Sequence, residues 1–436
     1  MKIGLKDFAC NRIVAHKFTQ SRSAAARATA QRISLCLSFG ELILLFLAGW
    51  VILFSIPVTA QSPKTSVYKE WMLGPFEQVD AVNPILGPNF NPLFFCPIRK
   101  SNVRWEARAI LGAAAIVKDE KLDLIYHAED SSNGFLGMRG TVGTFRQGLA
   151  ESTDGLHFTS RPEPVLYPEN TPEKAAEWPG GDEIPRIVEG PEQTYYLYYS
   201  AWNRKVTRLS VATSKDLVHW TKHGLIFDKA YDGKYRQLWC KGAAVVAEVN
   251  GGRLKAVRIK DKYWMYFGEG EIFAATSDNL IDWKPVELAA GQRNPSVEGD
   301  ANLVNIRKDT PSDLLVIQGP KSHHFDSKLV EGGVAVLTAK GIVHLYNASD
   351  LDSPEAGTWK KESELYYSLG QALYSADDPT KLLDRSEASF LKPDRDFEKL
   401  GCTPNVVYLT GIARFKGKWM IYYNGADWMV GVASTP

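Results

Sequence analysis

The chain has 436 residues, 44% hydrophobic and 23% charged, with Lys+Arg at 51 against Asp+Glu at 50. This is an ordinary globular balance, enough for one large domain or two to three smaller ones, with a sizeable core. No surplus of cations is present to gather polyanions, so nucleic acid is excluded as a partner and a neutral substrate is expected.

Residues 1–41 carry seven Lys/Arg against two acids, and the apolar run LILLFLAGWVILFSI follows from Leu42 to Ile56. Those 15 residues fall short of the roughly 20 that a bilayer span needs, and Val58-Thr59-Ala60 offers the small residues a signal peptidase requires. Residues 1–60 therefore read as a basic leader and hydrophobic signal, cleaved near Ala60, with export to the periplasm or the exterior. The alternative is an uncleaved anchor over residues 42–56, the one contact with a membrane that the sequence offers. Cys10 and Cys36 fall in this leader. The remainder, 61–436, keeps Cys96, Cys240 and Cys402, an odd number without paired spacing, so neither a disulfide framework nor a zinc site is expected. Asn347-Ala348-Ser349 is a glycosylation sequon.

From about Ser62 a loose repeat begins. An aromatic β-run leads to Ser, an acid and then an aromatic: DLIYHAED runs on to Ser152, Asp154 and Phe158, and YYLYYSAWN to Ser214, Asp216 and Trp220. KYWMYFGEGEIFAATSDNLIDW repeats it up to Trp283, and two degenerate units follow, GIVHLYNASD with GQALYSADD and then KGKWMIYYNGADWMVGVAS. Five such units, rich in β-branched and aromatic residues and punctuated by Gly, Pro, Asn and Asp, predict an all-β chain folded as a five-bladed β-propeller. The Ser-x-Asp segments read as turns that hydrogen-bond their own backbone, and His157 and His219 within them as structural.

A propeller places its site at the mouth of its axis, where loops of several blades converge. Polar groups beside strand ends are then the candidates. The first unit offers Trp105 and Glu106, then His127, Glu129 and Asp130 in IYHAED, with Arg146 beyond them. The second offers Asp182, Glu183 and Arg186 in GGDEIPRI. Lys241 and Glu269 come from the third, Asp326 and Glu331 in FDSKLVEGG from the fourth, and Asp427 in YYNGADW from the fifth. The many aromatic rings suit a sugar-binding cleft and a packed core alike.

From about Val82 onward the chain resembles glycoside hydrolase family 130. The resemblance rests on NPILGP, FFCPI, RWEAR, IYHAED, GLAESTDGLHF, GGDEIPRIVEG, LSVATSKDLVHWTKHG, KYWMYFGE, FDSKLVEGG, GIVHLYN and YYNGADWMVGVA, in that order. It implies a five-bladed propeller that cleaves β-mannosides from an end with inversion, by hydrolysis or phosphorolysis, without metal or organic cofactor. Family members show Glu-Asp-Pro-Arg where this chain has Glu183-Ile184-Pro185-Arg186, so Ile184 occupies the place of the general acid. Nearby, Leu111–Ala115 replaces an Asn-Pro, and His127 stands where an Arg binds sugar or anion.

Two function classes follow. In one, an exported β-1,2-mannosidase-like hydrolase uses Glu183 or Asp182 as acid, with Glu269 and Asp326 as catalytic carboxylates. Trp105, Glu106, His127, Asp130, Arg146, Arg186, Lys241, Glu331 and Asp427 then hold the mannoside. In the other, a catalytically impaired relative keeps a glycan-binding pocket. Phosphorolysis is a further alternative. Against it, the His-Arg pair that family phosphorylases carry after the YYM-type strand is here Phe267-Gly268, and their YHG histidine is replaced at Tyr346-Asn347.

Overall fold

The computed structural model describes residues 67–132, 143–292, 294, 311–350 and 366–436. All of them belong to one of the chain's two units, Pro63–Pro436, and the other unit, Met1–Ser62, lies outside the described residues together with the expected leader and its cleavage point. The regular structure of the described chain is almost wholly β-strand, with short helical turns such as Lys174–Glu177 and Asp396–Lys399. Its strands are rich in the β-branched and aromatic residues that fit a pleated, packed surface. In Lys121–Glu129 every residue after the first is buried, and Gly341–Ser349 is buried throughout. Both faces of these strands are therefore covered by protein, as in sheets packed face to face.

Consecutive strands pair antiparallel into short meanders. Ala109–Lys118, Lys121–Glu129, Phe145–Ser152 and Thr159–Ser160 make the first. Gly181–Glu189, Tyr195–Trp202, Thr207–Ser214 and Thr221–Leu225 make the second. The third runs through Ala244–Asn250, Lys262–Phe267, Ile272–Ser277 and Trp283–Pro285. Leu329–Thr338, Gly341–Ser349, Tyr367–Tyr374 and Leu382–Arg385 form another. Finally Val407–Phe415, Lys418–Gly425 and Met429–Ser434 accept Glu77–Gln78, from the opposite end of the described chain, as their outer partner. The first strands of these meanders lie against one another, as Val246 and Ala247 do beside Ala335 and Val336 in a parallel pairing. The architecture is β-propeller-like.

Small residues on the first strands, among them Ala114, Ala115, Ala244, Gly333, Ala335 and Gly411, surround an axial channel of about 30 Å³. Ala114 and Ala115 of the LGAAA stretch, unusual in its sequence context, are thus axial packing. The Ser-x-Asp segments are the expected turns: Ser152 Oγ accepts from Gly155 N at 2.8 Å and Asp154 Oδ1 from His157 N at 2.8 Å, and Ser214 and Asp216 repeat the pattern. The sequon is closed off, because Asn347 is buried and its side chain bonds both the N–H and the carbonyl of Leu409.

Near its start, the first strand of four meanders carries a register shift: Leu111/Ala113, Glu183/Arg186, Glu331/Val334 and Leu409/Gly411. Bulges of this kind bend a strand and re-aim its side chains. Here they stand around one end of the axis.

Candidate active site

Above the bulges lies a cavity of about 480 Å³ with walls drawn from every meander. Its second wall begins at Gly180–Arg186. A Cβ on Gly181 would sit 2.3 Å from the Phe145 carbonyl, and one on Gly180 would sit 2.4 Å from the Trp202 ring, so the two glycines allow this strand to lie against its neighbours. Successive side chains of a strand point to opposite faces, which separates the two adjacent carboxylates.

Asp182 points away from the cavity. It is fully buried, 3.3 Å from Lys222 Nζ, and Lys222 also binds Glu177 at 2.7 Å and the Tyr167 carbonyl at 2.8 Å. Its place among the catalytic candidates is therefore corrected: its carboxylate belongs to a structural ion cluster. Glu183 lines the cavity. After it the chain bulges, with Ile184 and Pro185 set between the pairs Glu183↔Ser200 and Arg186↔Tyr198, and Ile184 takes a φ of 48°. Ile184 also lines the cavity, beside Leu111, Phe145 and Trp202. Burial pushes the Glu183 carboxyl up to about 7, against the pull of Lys241 and with the support of Glu269 and Asp427.

Also lining the cavity, Glu269 and Glu331 face each other on antiparallel strands. Glu269 accepts a hydrogen bond from Trp239 Nε1 at 2.7 Å and lies 3.6 Å from Lys241 Nζ. Glu331 accepts from the Tyr408 hydroxyl, and burial, followed by the charge of Glu269, raises it to about 7. Asp427 is raised by burial while Thr403 and Asn424 donate to it. Glu129 pairs with Arg108 and accepts from Gly143 N at 2.9 Å. His127 lines the cavity beside the Gly112 bulge, and burial lowers it to about 3, so its imidazole is neutral.

Lys241, Glu331, Asp427, His127 and Glu129 thus stand with Glu183 and Glu269 around one cavity, and the remaining candidates do not. Asp326 is buried in a network of its own, 3.0 Å from Arg385, 2.6 Å from His324 Nδ1 and 2.8 Å from the Tyr346 hydroxyl. Glu331, five positions on, is the acid of FDSKLVEGG that lines the cavity. Arg186 lies beneath the cavity on the axial channel, donating to the carbonyls of Gly333 at 2.8 Å and of Gly332 and Leu409 at 3.1 Å, so it ties bulges together and has no fork left for a sugar. Trp105 is core, its indole donating to the Pro162 carbonyl at 2.9 Å, and Glu106 is bound by the Tyr126 hydroxyl. Asp130 and Arg146 form a buried ion pair at 2.6 Å.

Arg108, Trp239 and Tyr408 line the cavity without having been singled out. For Arg108 the signal lay inside RWEAR, and for Trp239 in its spacing from Lys241, two positions apart on one side of an extended segment. Tyr408 carried no signal of its own. Among the described residues no group of His, Cys, Asp and Glu is arranged to hold a metal ion.

The chain matches the family model of glycoside hydrolase family 130, described as β-1,4-mannooligosaccharide phosphorylase, over residues 107–307 and 314–436. It is 28% identical over 341 residues to a 1,2-β-oligomannan phosphorylase of Thermoanaerobacter sp., covering 77% of this chain and 92% of that protein. A glycosyl hydrolase from Bacteroides ovatus superposes with a TM-score of 0.74 at 39% identity, over 85% of this chain and 96% of that one. A further structure, at 37% identity and a TM-score of 0.74 over 85% of this chain and 96% of its own, is described by the statement that this family of mannoside phosphorylases contains glycoside hydrolases targeting β-1,2-mannosidic linkages in Candida mannan.

Proposed function

The chain belongs to glycoside hydrolase family 130, and on that premise we propose that it is a five-bladed propeller that hydrolyses β-1,2-mannosides from one end with inversion. The observation that carries this reading is the charge of the cavity. Five carboxylates, Glu129, Glu183, Glu269, Glu331 and Asp427, face two cations, Arg108 and Lys241. Each cation has a carboxylate beside it, Glu129 for Arg108 and Glu269 for Lys241. A phosphate dianion needs charge-assisted donors, and added carboxylates repel it.

In this mechanism Glu183, protonated through its raised pKa, gives its proton to the glycosidic oxygen as the bond to the anomeric carbon breaks. Glu269, with Glu331 beside it, accepts a proton from the water that attacks the other face of the sugar. Inversion needs an acid and a base on opposite sides with a water between them, and the cavity supplies separate carboxylates for the two parts, Glu183 on one strand and Glu269 with Glu331 on another pair. Ile184 then serves as part of the apolar wall, and the acid is supplied one residue earlier.

Phosphorolysis is the second reading, favoured by the family description, by the curated relatives named as phosphorylases and by the presence of Lys241 in the cavity. Product analysis with β-1,2-mannobiose separates the two. Mannose released at a rate indifferent to added phosphate is expected, whereas mannose 1-phosphate accumulating in proportion to phosphate would establish the second reading and overturn the first.

A further inference from the structure

Two arginines that do not line the cavity themselves, but stand close to residues that do, take no part in that chemistry. Arg204 stands two residues after the cavity-lining Trp202, and Arg99 follows the short strand Phe94–Cys96. Their guanidiniums converge on adjacent residues of the segment leading into Phe145–Ser152, since Arg204 Nη2 donates to the Gly143 carbonyl at 2.8 Å and Arg99 Nη2 to the Thr144 hydroxyl at 3.5 Å. Arg99 also lies over the Trp178 ring, 5.1 Å from its centroid, and its buried Nε has no partner. Arg204 is exposed and Arg99 half-buried.

Neither arginine forms an ion pair among the described residues. Asp130, the carboxylate whose charge reaches Arg204, is already bound to Arg146 at 2.6 Å. Burial and then the neighbouring Arg99 lower the pKa of Arg204, as expected for like charges held together. A guanidinium presents five N–H donors in a fixed fork that fits the oxygens of an oxyanion, and among the described residues the pair uses only one donor each, Arg204 Nη2 and Arg99 Nη2.

We propose that Arg99 and Arg204 form an anion subsite beside the cavity, which holds a phosphoryl group carried by a mannoside. Two guanidiniums match the charge of a phosphomonoester, roughly −1.5 to −2 at neutral pH, better than that of a single carboxylate. Phe145 and Trp202, each within two residues of the groups involved, place the subsite next to the sugar cavity. The inference rests on the reading of that cavity as a mannoside site.

Calorimetric titration of the full chain with mannose, mannose 6-phosphate and orthophosphate at low ionic strength tests it. Mannose 6-phosphate is expected to bind at least about tenfold more tightly than mannose, with a preference that falls as NaCl is raised. The preference should disappear in R99Q/R204Q and fall partway in Arg204→Gln, which alters only the exposed member of the pair, with melting curves reporting that both variants are folded. Equal affinity for the two sugars, or a preference that survives in the double variant, overturns the proposal. Orthophosphate displacing mannose 6-phosphate at equal concentration would assign these arginines to free phosphate and overturn the glycan-borne source. Because the readout is binding, turnover of β-1,2-mannobiose by the unaltered chain tests the reaction separately.

Discussion

Glu183 owes its chemistry to two local facts: it alternates with Asp182 along a strand, and it stands at the lip of a bulge. Alternation sends one carboxylate to Lys222 and the other to the cavity, where burial raises it to about 7. Below that pH the carboxyl keeps its proton and can act as an acid, and as pH rises through about 7 the proton is lost. The rate on β-1,2-mannobiose should therefore fall about tenfold per pH unit on the alkaline side, and Glu183→Gln should lower kcat by about 10²–10⁴ and remove that limb. An alkaline limb that persists in Glu183→Gln, at undiminished rate, would clear Glu183 of the role. The adjacent acids in GGDEIPRI were legible as a site, and alternation implies that they part. Which of them faces inward was not legible, because that depends on Lys222, 40 residues away from Asp182. The same limit explains Asp326 and Glu331: both are acids in FDSKLVEGG, and Asp326 is claimed by Arg385, 59 residues further on.

At the scale of elements, the outer strand Thr221–Leu225 reaches inward through Lys222, which holds Glu177 and Asp182 behind the strand that carries Glu183. Burial, then the charge of Asp182, lifts Glu177 above the ordinary carboxylate range. A carboxyl raised in the folded state contributes stability that is fully present below its ordinary pKa and is lost as pH climbs through the raised one. Lys222→Met leaves two buried acids without their cation, a change that typically costs about 3–5 kcal/mol. Urea unfolding should show a larger loss at pH 8 than at pH 5, where Glu177 takes up a proton. An equal, small loss at both pH values would mean that the cluster carries little of the fold. Strands and corners were readable from sequence because their causes are local: aromatic β-runs, and Ser and Asp side chains that bond the next few N–H groups. The bulges were not readable, since each is defined by the register of a partner strand.

The cavity takes walls from the first meander, through His127 and Glu129, and from the last, through Asn424 and Asp427, so the ring must close for the site to exist. Closure is made by residues far apart in the chain. Glu77 and Gln78 pair with Ser434 and Ala433, Leu86 bridges to Val430, and the Asn83 side chain clasps Val432, donating to its carbonyl at 2.8 Å and accepting from its N–H at 2.8 Å. Nothing local in NPILGP announces this, because the partner lies 349 positions away. The Val432 carbonyl keeps a second donor, Val79 N, at 3.1 Å, whereas its N–H would be orphaned by Asn83→Ala, at a cost of about 1–3 kcal/mol. The urea midpoint of that variant should fall accordingly, with Asn83→Asp milder because the acceptor remains. Turnover of β-1,2-mannobiose should disappear over the same urea range as the near-ultraviolet signal of the packed aromatic rings, since loosening the clasp parts the first wall from the last. A midpoint unmoved by Asn83→Ala, or turnover that outlasts the aromatic signal, would show that the cavity does not depend on a closed ring.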